Sequence, residues 1–100
     1  MNSSIVIALP KIDDAKKIRT ILNRHGFSVA AVCSTASTAL ASMSELDGGI
    51  LICGYKLTDR YYRDVLEDIP SYFEMLLLAS GRVIAEAPTS VLTVEMPMKV

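Results

Sequence analysis

The residues of this chain that could do chemistry are few and scattered. Asp13 and Asp14 are adjacent carboxylates, which is the kind of pair that can hold a divalent cation. They also lie just ahead of a helical pattern, where an aspartate commonly caps the first turn, so we expect helix caps rather than metal ligands. The single histidine, His25, falls in the last turn of the same pattern, with no serine or cysteine beside it to form a nucleophile pair. These residues predict neither a metal site nor an enzyme.

The two cysteines, Cys33 and Cys53, each lie at the end of an apolar, strand-like run. Their spacing fits neither a CxxC redox motif nor the ligand pattern of a zinc site. We therefore expect both thiols to be buried and structural, as free cysteines in apolar surroundings usually are. A regulatory disulfide between adjacent strand ends is the geometric alternative.

Five short apolar runs, each typical of a buried strand, alternate with helical patterns; they span residues 4–9, 27–33, 50–53, 73–79 and 91–95. The first helix follows the two aspartates, runs through Arg24 and is ended by Gly26. The second helix is capped by Ser34 or Thr35. A third helix over residues 62–69 stops before a proline, and residues 80–87 allow only about two helical turns.

Length and composition predict one compact domain, residues 1–100. The chain has 100 residues, is 51% hydrophobic and has a mean hydropathy of +0.38, which is ample for a core. No apolar run approaches the ~18 residues of a membrane span and no basic leader begins the chain, so we expect a cytoplasmic protein. The formal net charge of -1 argues against a broad basic surface for nucleic acid. Alternating strands and helices indicate an α/β protein with a parallel sheet covered on both faces.

The third strand leads through Gly54 into the turn Leu57-Thr58-Asp59, and this arrangement resembles the receiver domain of bacterial response regulators. The resemblance covers essentially the whole chain. It implies a flavodoxin-like (CheY-like) fold, a doubly wound parallel five-stranded sheet, with a short fourth helix and with the fifth helix absent from this chain. In that family an aspartate after the third strand is phosphorylated with the help of a magnesium ion.

The catalytic set of the receiver family is almost entirely replaced here. Gly54 stands at the place of the phosphoacceptor aspartate, and Leu9 and Pro10 stand at the places of the acidic pair that holds magnesium. Met96-Pro97 replaces a Lys-Pro pair, and Ala79 or Ser80 takes the place of a hydroxyl residue. The resemblance therefore implies a degenerate phosphoacceptor pocket without metal or other cofactor, comprising Leu9, Pro10, Gly54, Ser80, Met96 and Pro97. A glycine at position 54 could also simply permit a tight turn.

Residues 9–18 and 48–55 look most like the pseudo-receiver half of ANTAR-type regulators. In that family a C-terminal helical module binds RNA and causes transcription antitermination, and none of its residues is present in this chain. The resemblance implies a signalling or dimerisation role with a protein partner or a second copy, RNA contact only through the missing module, and neither a membrane nor a DNA partner. The expected interaction face comprises Val83, Ile84, Val91 and Leu92, whose alternative role is packing in the core.

Two further hypotheses stay open at the level of the sequence. Open parallel sheets bind ligands beyond the carboxyl ends of their strands, so the domain could be a small-molecule sensor or a stand-alone interaction adaptor. The residues that would line such a pocket are Leu9, Pro10, Gly54, Tyr55, Ser80 and Met96. A basic helix face could contact RNA or an acidic partner, although solvated charge is its commoner role; it comprises Lys16, Lys17, Arg19 and Arg24.

Overall fold

A computed structural model describes residues 4–79, 81, 85 and 91–95 of the chain, with the backbone alone described at position 95. The strands in this part are β1 (Ser4–Ala8), β2 (Val29–Cys33), β3 (Gly49–Gly54), β4 (Phe73–Ala79) and β5 (Leu92–Glu95). The helices are α1 (Ile12–Arg24), α2 (Ala36–Ser44) and α3 (Tyr62–Asp68). No helix of the described part is long and apolar enough to cross a membrane.

The five strands form one sheet in the order β2-β1-β3-β4-β5, and every neighbouring pair is parallel. This is the flavodoxin-like order, in which the chain winds outward in one direction from β1 and then in the other. The predicted fold class, a doubly wound parallel α/β sheet, is confirmed.

The two sheet faces carry separate cores because successive side chains of a strand point to opposite faces. On one face, apolar residues of β1 and β3 pack with α1 through Ala15, Ile18 and Leu22. The other face packs against α2 and α3. Its buried helix residues are Ala36, Ala39, Met43, Tyr62 and Val65. With α1 on one face and α2 and α3 on the other, the carboxyl ends of β1 and β3 meet at the edge of the sheet where such folds bind ligands.

The start of α1 differs from the prediction. The helix begins at Ile12 with Lys11 as its N-cap residue, and no side chain caps it. Asp13 and Asp14 lie inside the first turn instead. The prediction that an aspartate caps this helix is therefore wrong, although two carboxylates in the first turn still interact favourably with the helix dipole.

The end of α1 explains why β2 is shorter than predicted. Gly26 has a φ of 87°, which a residue with a Cβ rarely adopts, and it ends the helix as expected. The backbone N–H of Phe27 then donates to the carbonyl of Leu22 over 3.0 Å. Because this bond belongs to the helix terminus, Phe27 cannot join the sheet, and β2 begins only at Val29.

A glycine at the start of β3 lets this strand enter the sheet between β1 and β4. Gly49 has a φ of 155°, and a Cβ added there would lie 1.8 Å from the carbonyl oxygen of Ser4. Gly49 also donates its N–H to the carbonyl of Tyr72 on the other side, at 3.2 Å. Only a glycine fits this close approach of three chain segments.

Other element ends agree with the prediction to within a residue or two. The residue after α3, Ile69, is extended (φ -65°, ψ 137°), as expected for a residue that precedes a proline. The short fourth helix predicted for residues 80–87 lies mostly outside the described residues, so it stays a prediction.

Candidate functional site

The candidate site lies at the carboxyl edge of the sheet, where β1 and β3 end side by side. In the observed order the chain reverses its direction of winding at this pair of strands, and open α/β sheets bind ligands at such switch points. The residues that follow β1 are Leu9 and Pro10, and Gly54 is the last residue of β3. Three of the residues predicted for a degenerate pocket therefore meet here.

Gly54 is packed against Leu9 and Pro10. A Cβ added at position 54 would lie 3.1 Å from Cδ2 of Leu9 and 3.4 Å from Cδ of Pro10. Among the described residues the glycines with positive φ are Gly26, Gly48 and Gly49, so the backbone at Gly54 does not demand glycine. The alternative that Gly54 permits a tight turn stays a prediction, and close packing against Leu9 and Pro10 also favours a residue without a side chain.

The magnesium ion of the receiver family does not fit the residues present. The positions after β1 are occupied by Leu9 and Pro10, which offer no carboxylate oxygen to a hard cation. Asp13 and Asp14 lie further along the chain, in the first turn of α1. Among the residues the structure describes, no group of three or more His, Cys, Asp or Glu side chains could hold a metal ion.

A cleft of about 480 Å³ opens beside Gly54 on the α1 side of the sheet. Its apolar lining comes from Leu9, Pro10, Ile18, Gly54, Tyr55 and Leu78. Three charged residues, Asp14, Lys17 and Lys56, also line it. The structure thus brings together four of the six residues predicted to line a ligand pocket. Ser80 and Met96 lie outside the described residues, as does Pro97.

The loop that follows β3 is fixed by its own hydrogen bonds and aromatic contacts. The N–H of Tyr62 donates to the carbonyl of Tyr55 over 2.9 Å, and the N–H of Leu57 donates to the carbonyl of Arg60 over 2.7 Å. The Tyr55 ring meets the Tyr61 ring edge-on, with centroids 5.2 Å apart. These bonds close a compact loop, so Tyr55 is held in place at the mouth of the cleft.

Asp59 has a structural role that the sequence analysis missed. Its Oδ1 accepts a hydrogen bond of 2.7 Å from the N–H of Ala36, and its Oδ2 accepts one of 3.2 Å from the N–H of Ser37. These are free N–H groups of the first turn of α2, so Asp59 caps a helix that lies 23 residues earlier in the chain. The N–H groups of Ala36 and Ser37 hold the pKa of the Asp59 carboxyl below its usual range.

Thr58 ties the same two loops together. Its N–H and its hydroxyl both donate to the carbonyl oxygen of Ser34, over 3.3 Å and 3.1 Å. The second helix itself is capped by Thr35, one of the two caps predicted, whose Oγ1 accepts from the N–H of Thr38. The only sequence signal for the Asp59 cap was the turn Leu57-Thr58-Asp59, and a contact between distant loops cannot be deduced from local spacing.

The cysteines are buried, as predicted. Burial raises the pKa of the Cys53 thiol to about 12. Burial also raises the pKa of Cys33, against a smaller lowering by a hydrogen bond with Ser42. Cys33 and Cys53 both pair in register with Ala8, from opposite sides of β1. Two strand spacings separate their Cα atoms by about 9–10 Å, which is too far for a disulfide, so the alternative of a disulfide between adjacent strands is wrong.

The predicted interaction face divides between the two faces of β5. Val91, just before the strand, is 7% exposed and belongs to the core on the α2 and α3 side, whereas Leu92 is 50% exposed. Val83 and Ile84 lie outside the described residues. Leu92 and Val94 pair in register with Leu76 and Leu78 of β4, so the four share the α1 side of the sheet. We call this set the β4–β5 strip: Leu76, Leu78, Leu92 and Val94.

The remaining candidates are mostly surface groups. Lys16, Lys17 and Arg24 are exposed on α1, and Lys17 alone of the predicted basic face lines the cleft. His25 is the C-cap residue of α1. Tyr62 is buried as a packing residue, and Tyr61 and Tyr72 are about half exposed.

Comparison with known proteins supports the assignment of the fold. No protein-family model matches the chain, and no curated protein matches it. Among solved structures, the crystal structure of the anti-anti-sigma factor PhyR from Bartonella quintana is similar, with a TM-score of 0.78 and 16% sequence identity. The chain has a receiver-like fold. The match covers 97% of this chain and 42% of the PhyR chain, so this chain spans less than half of that neighbour's length.

Proposed function

We propose that this chain is a receiver-like signalling module that works without phosphorylation and is not an enzyme. The observation that carries the proposal is the packing at Gly54, where a phosphoacceptor carboxylate is missing and Leu9 and Pro10 occupy the adjoining space. A retained receiver-like fold without its catalytic residues supports a role in signalling by contact. The structural neighbour is itself a regulator, an anti-anti-sigma factor, which supports the same class of function.

Incubation with acetyl phosphate and magnesium, followed by intact-mass measurement at neutral pH, tests this proposal. We expect no added phosphoryl group, because the nucleophile and the carboxylates that would hold the metal are both replaced. A conventional receiver domain in the same reaction shows that the phosphodonor is active. An acyl phosphate on any aspartate of this chain would overturn the proposal.

Signalling by contact needs a surface, and the β4–β5 strip is the one we propose, with a second copy of the chain as the partner. Leu92 is 50% and Val94 is 46% exposed although both are aliphatic. A two-fold dimer brings the same patch of each copy together. All four residues of the strip are apolar, so such a contact would not bury an unpaired charge from the strip itself.

The mass of the protein in solution, measured by light scattering over a range of concentrations, tests the dimer. We expect Leu92→Glu to shift the population towards monomer, since it places a charge in the proposed interface. Ile21→Glu is the matched control, because Ile21 on α1 is 52% exposed and lies outside the strip. A monomeric wild-type protein at all concentrations, or equal effects of the two substitutions, would contradict the proposal.

The proposed output is transcription antitermination through an RNA-binding ANTAR module outside residues 1–100. Its support is the resemblance of residues 9–18 and 48–55 to that family, and the net charge of -1 agrees with an RNA contact located elsewhere. The test is a comparison of RNA-hairpin binding by this domain alone and by the natural gene product. We expect binding only by a product that carries a basic helical module; the natural product failing to bind would refute this output.

A further inference from the structure

The cleft beside Gly54 combines apolar walls with two ammonium groups, and of its described lining residues Leu78 belongs to the proposed dimer strip. We propose that it binds a small amphipathic anion, a molecule with an apolar body and one carboxylate. The inference goes beyond the proposed function, because it concerns binding at the α1 side of the site and needs neither phosphorylation nor dimerisation.

The walls of the cleft select an apolar body. Leu9 and Pro10 line one part, Ile18 of α1 and Leu78 of β4 line others, and all four are apolar. Gly54 adds no side chain of its own at this point. An apolar ligand body would therefore replace water against aliphatic surface, which favours binding in proportion to the area covered.

The charges of the cleft select an anionic end. Lys17 and Lys56 contribute two positive charges and Asp14 one negative charge, so the described part of the lining carries a net positive charge. The ion pair found among the described residues joins Arg60 and Asp68, and it involves neither lysine. Both lysines are exposed, and their positive charges attract a negative charge towards the cleft.

Lys56 is also held near the cleft by its neighbours. Its Nζ lies 5.3 Å from the centroid of the Tyr61 ring, a cation–π arrangement that restrains the long side chain. The adjacent Tyr55 is held by the closed loop and forms part of the same lining. A partly ordered lysine loses less conformational entropy when it meets a ligand.

The size of the cleft fits a small molecule. Its volume of about 480 Å³ lies within the range of roughly 300–1,000 Å³ that is usual for ligand pockets. No glycine-rich phosphate-binding motif is present in the sequence, which argues against a nucleotide. A medium-chain fatty acid has the required apolar body and single negative charge.

Decanoate is the probe we would use, kept below its micelle-forming concentration, with decanol as the uncharged probe of the same chain length. Amide shifts of ¹⁵N-labelled protein would report binding. We expect saturable one-to-one shifts at Gly54, Tyr55 and Lys56 with decanoate, and binding at least about threefold weaker with decanol. No saturable shifts at these amides, or equal affinity for the two probes, would overturn the proposal.

Lysine substitutions separate a specific site from general apolar binding. Lys17→Met and Lys56→Met should each weaken decanoate binding by roughly 1.5- to 5-fold, as expected for one exposed ion pair, and should leave decanol binding unchanged. Lys16→Met is the matched control, because Lys16 is an exposed lysine of the same helix that does not line the cleft. Loss of decanoate affinity in the control alone, or in none of the three variants, would refute the assignment. The acetyl phosphate test gives an independent answer, so failure of one proposal is distinguishable from failure of the other.

Discussion

At the scale of single residues, the site is defined by what Gly54 and its neighbours lack. Position 54, where the receiver pattern has a carboxylate, holds a glycine. Positions 9 and 10, where that pattern has acidic residues, hold apolar side chains that pack towards this glycine. All three positions therefore lack the carboxylates of the receiver pattern. We expect that an aspartate at position 54 alone would not be phosphorylated, because Leu9 and Pro10 offer no metal ligands and leave little space beside it.

Substitution of Gly54 tests whether this position is closely packed. We expect Gly54→Ala and Gly54→Asp each to lower the free energy of unfolding by about 1–3 kcal/mol, since Leu9 must shift by a few tenths of an ångström to admit the added Cβ. Urea titrations measure the loss. The penalty should shrink in a Leu9→Ala background, where the nearest atom is gone, and Gly54→Asp should gain no phosphoryl group from acetyl phosphate. Variants as stable as the wild type would show that the site is not closely packed.

Asp59 is a second residue whose role is decided by a contact with a distant loop. Asp59→Ala should lower the free energy of unfolding at pH 7 by about 0.5–2 kcal/mol, the usual value of a helix cap. Because folding lowers the pKa of Asp59, its stabilisation is complete above the unfolded pKa of about 3.9 and is lost as the pH falls through the folded pKa. The difference between wild type and variant should therefore narrow in acid.

Urea titrations at pH 7 and near pH 3 would measure both effects of Asp59. Asp47→Ala is the control, since Asp47 is exposed and no hydrogen bond joins its side chain to another of the described residues. A variant at Asp59 with wild-type stability at pH 7 would show that the cap does not form.

At the scale of elements, burial changes sharply where β5 begins. The same four-residue strand pairs with β4, yet Val91 before it is buried while Leu92 and Val94 are about half exposed. The cause is the placement of the helices: α2 and α3 cover one face of the sheet, and α1 packs against β1 and β3 on the other. The β4–β5 strip lies on the α1 side, where Leu76 and Leu78 pack against the core while Leu92 and Val94 are exposed.

Truncation of neighbouring residues at β5 should show this asymmetry. We expect Val91→Ala to cost about 1–3 kcal/mol in the free energy of unfolding, because it leaves a gap in the core. Leu92→Ala, which removes a larger side chain, should cost less than about 1 kcal/mol, because that side chain is already half in water. Urea titration at low protein concentration measures both. A larger loss for Leu92→Ala would mean that the strip is covered within the folded monomer.

At the scale of the whole molecule, the strand order determines whether the two cysteines can form a disulfide. Cys33 and Cys53 end strands that lie on either side of β1, so they cannot be bridged within one copy of the folded chain. Burial raises the pKa of both thiols, which keeps them protonated and unreactive near neutral pH.

The native protein should therefore resist thiol reagents. We expect slow alkylation of both cysteines by iodoacetamide at pH 8 in buffer, rapid alkylation of both in urea, and no intramolecular disulfide after mild oxidation. Mass spectrometry of the alkylated and oxidised samples measures all three. Rapid native alkylation or an intramolecular Cys33–Cys53 disulfide would contradict the observed strand order.

Local patterns in the sequence predicted the class of fold and most of its elements. Apolar runs, helix periodicity and terminators such as Gly26 are local signals. They reflect the backbone preferences and the burial of short stretches of residues. The absence of a carboxylate at position 54 and of acidic residues at positions 9 and 10 is also visible in the sequence, once the receiver pattern is recognised. The start of α1 was misplaced because an aspartate in the first turn and an aspartate at the cap are both favourable there.

The contacts between these parts could not be predicted from local patterns. The cap that Asp59 places on α2, the separation of Cys33 from Cys53 by β1, and the meeting of Lys17 with Lys56 beside Gly54 all join residues far apart in the chain. Such contacts follow from the order of strands and the side on which each helix packs. That order is set by the burial of whole apolar faces, a property of the assembled sheet that no local stretch of residues contains.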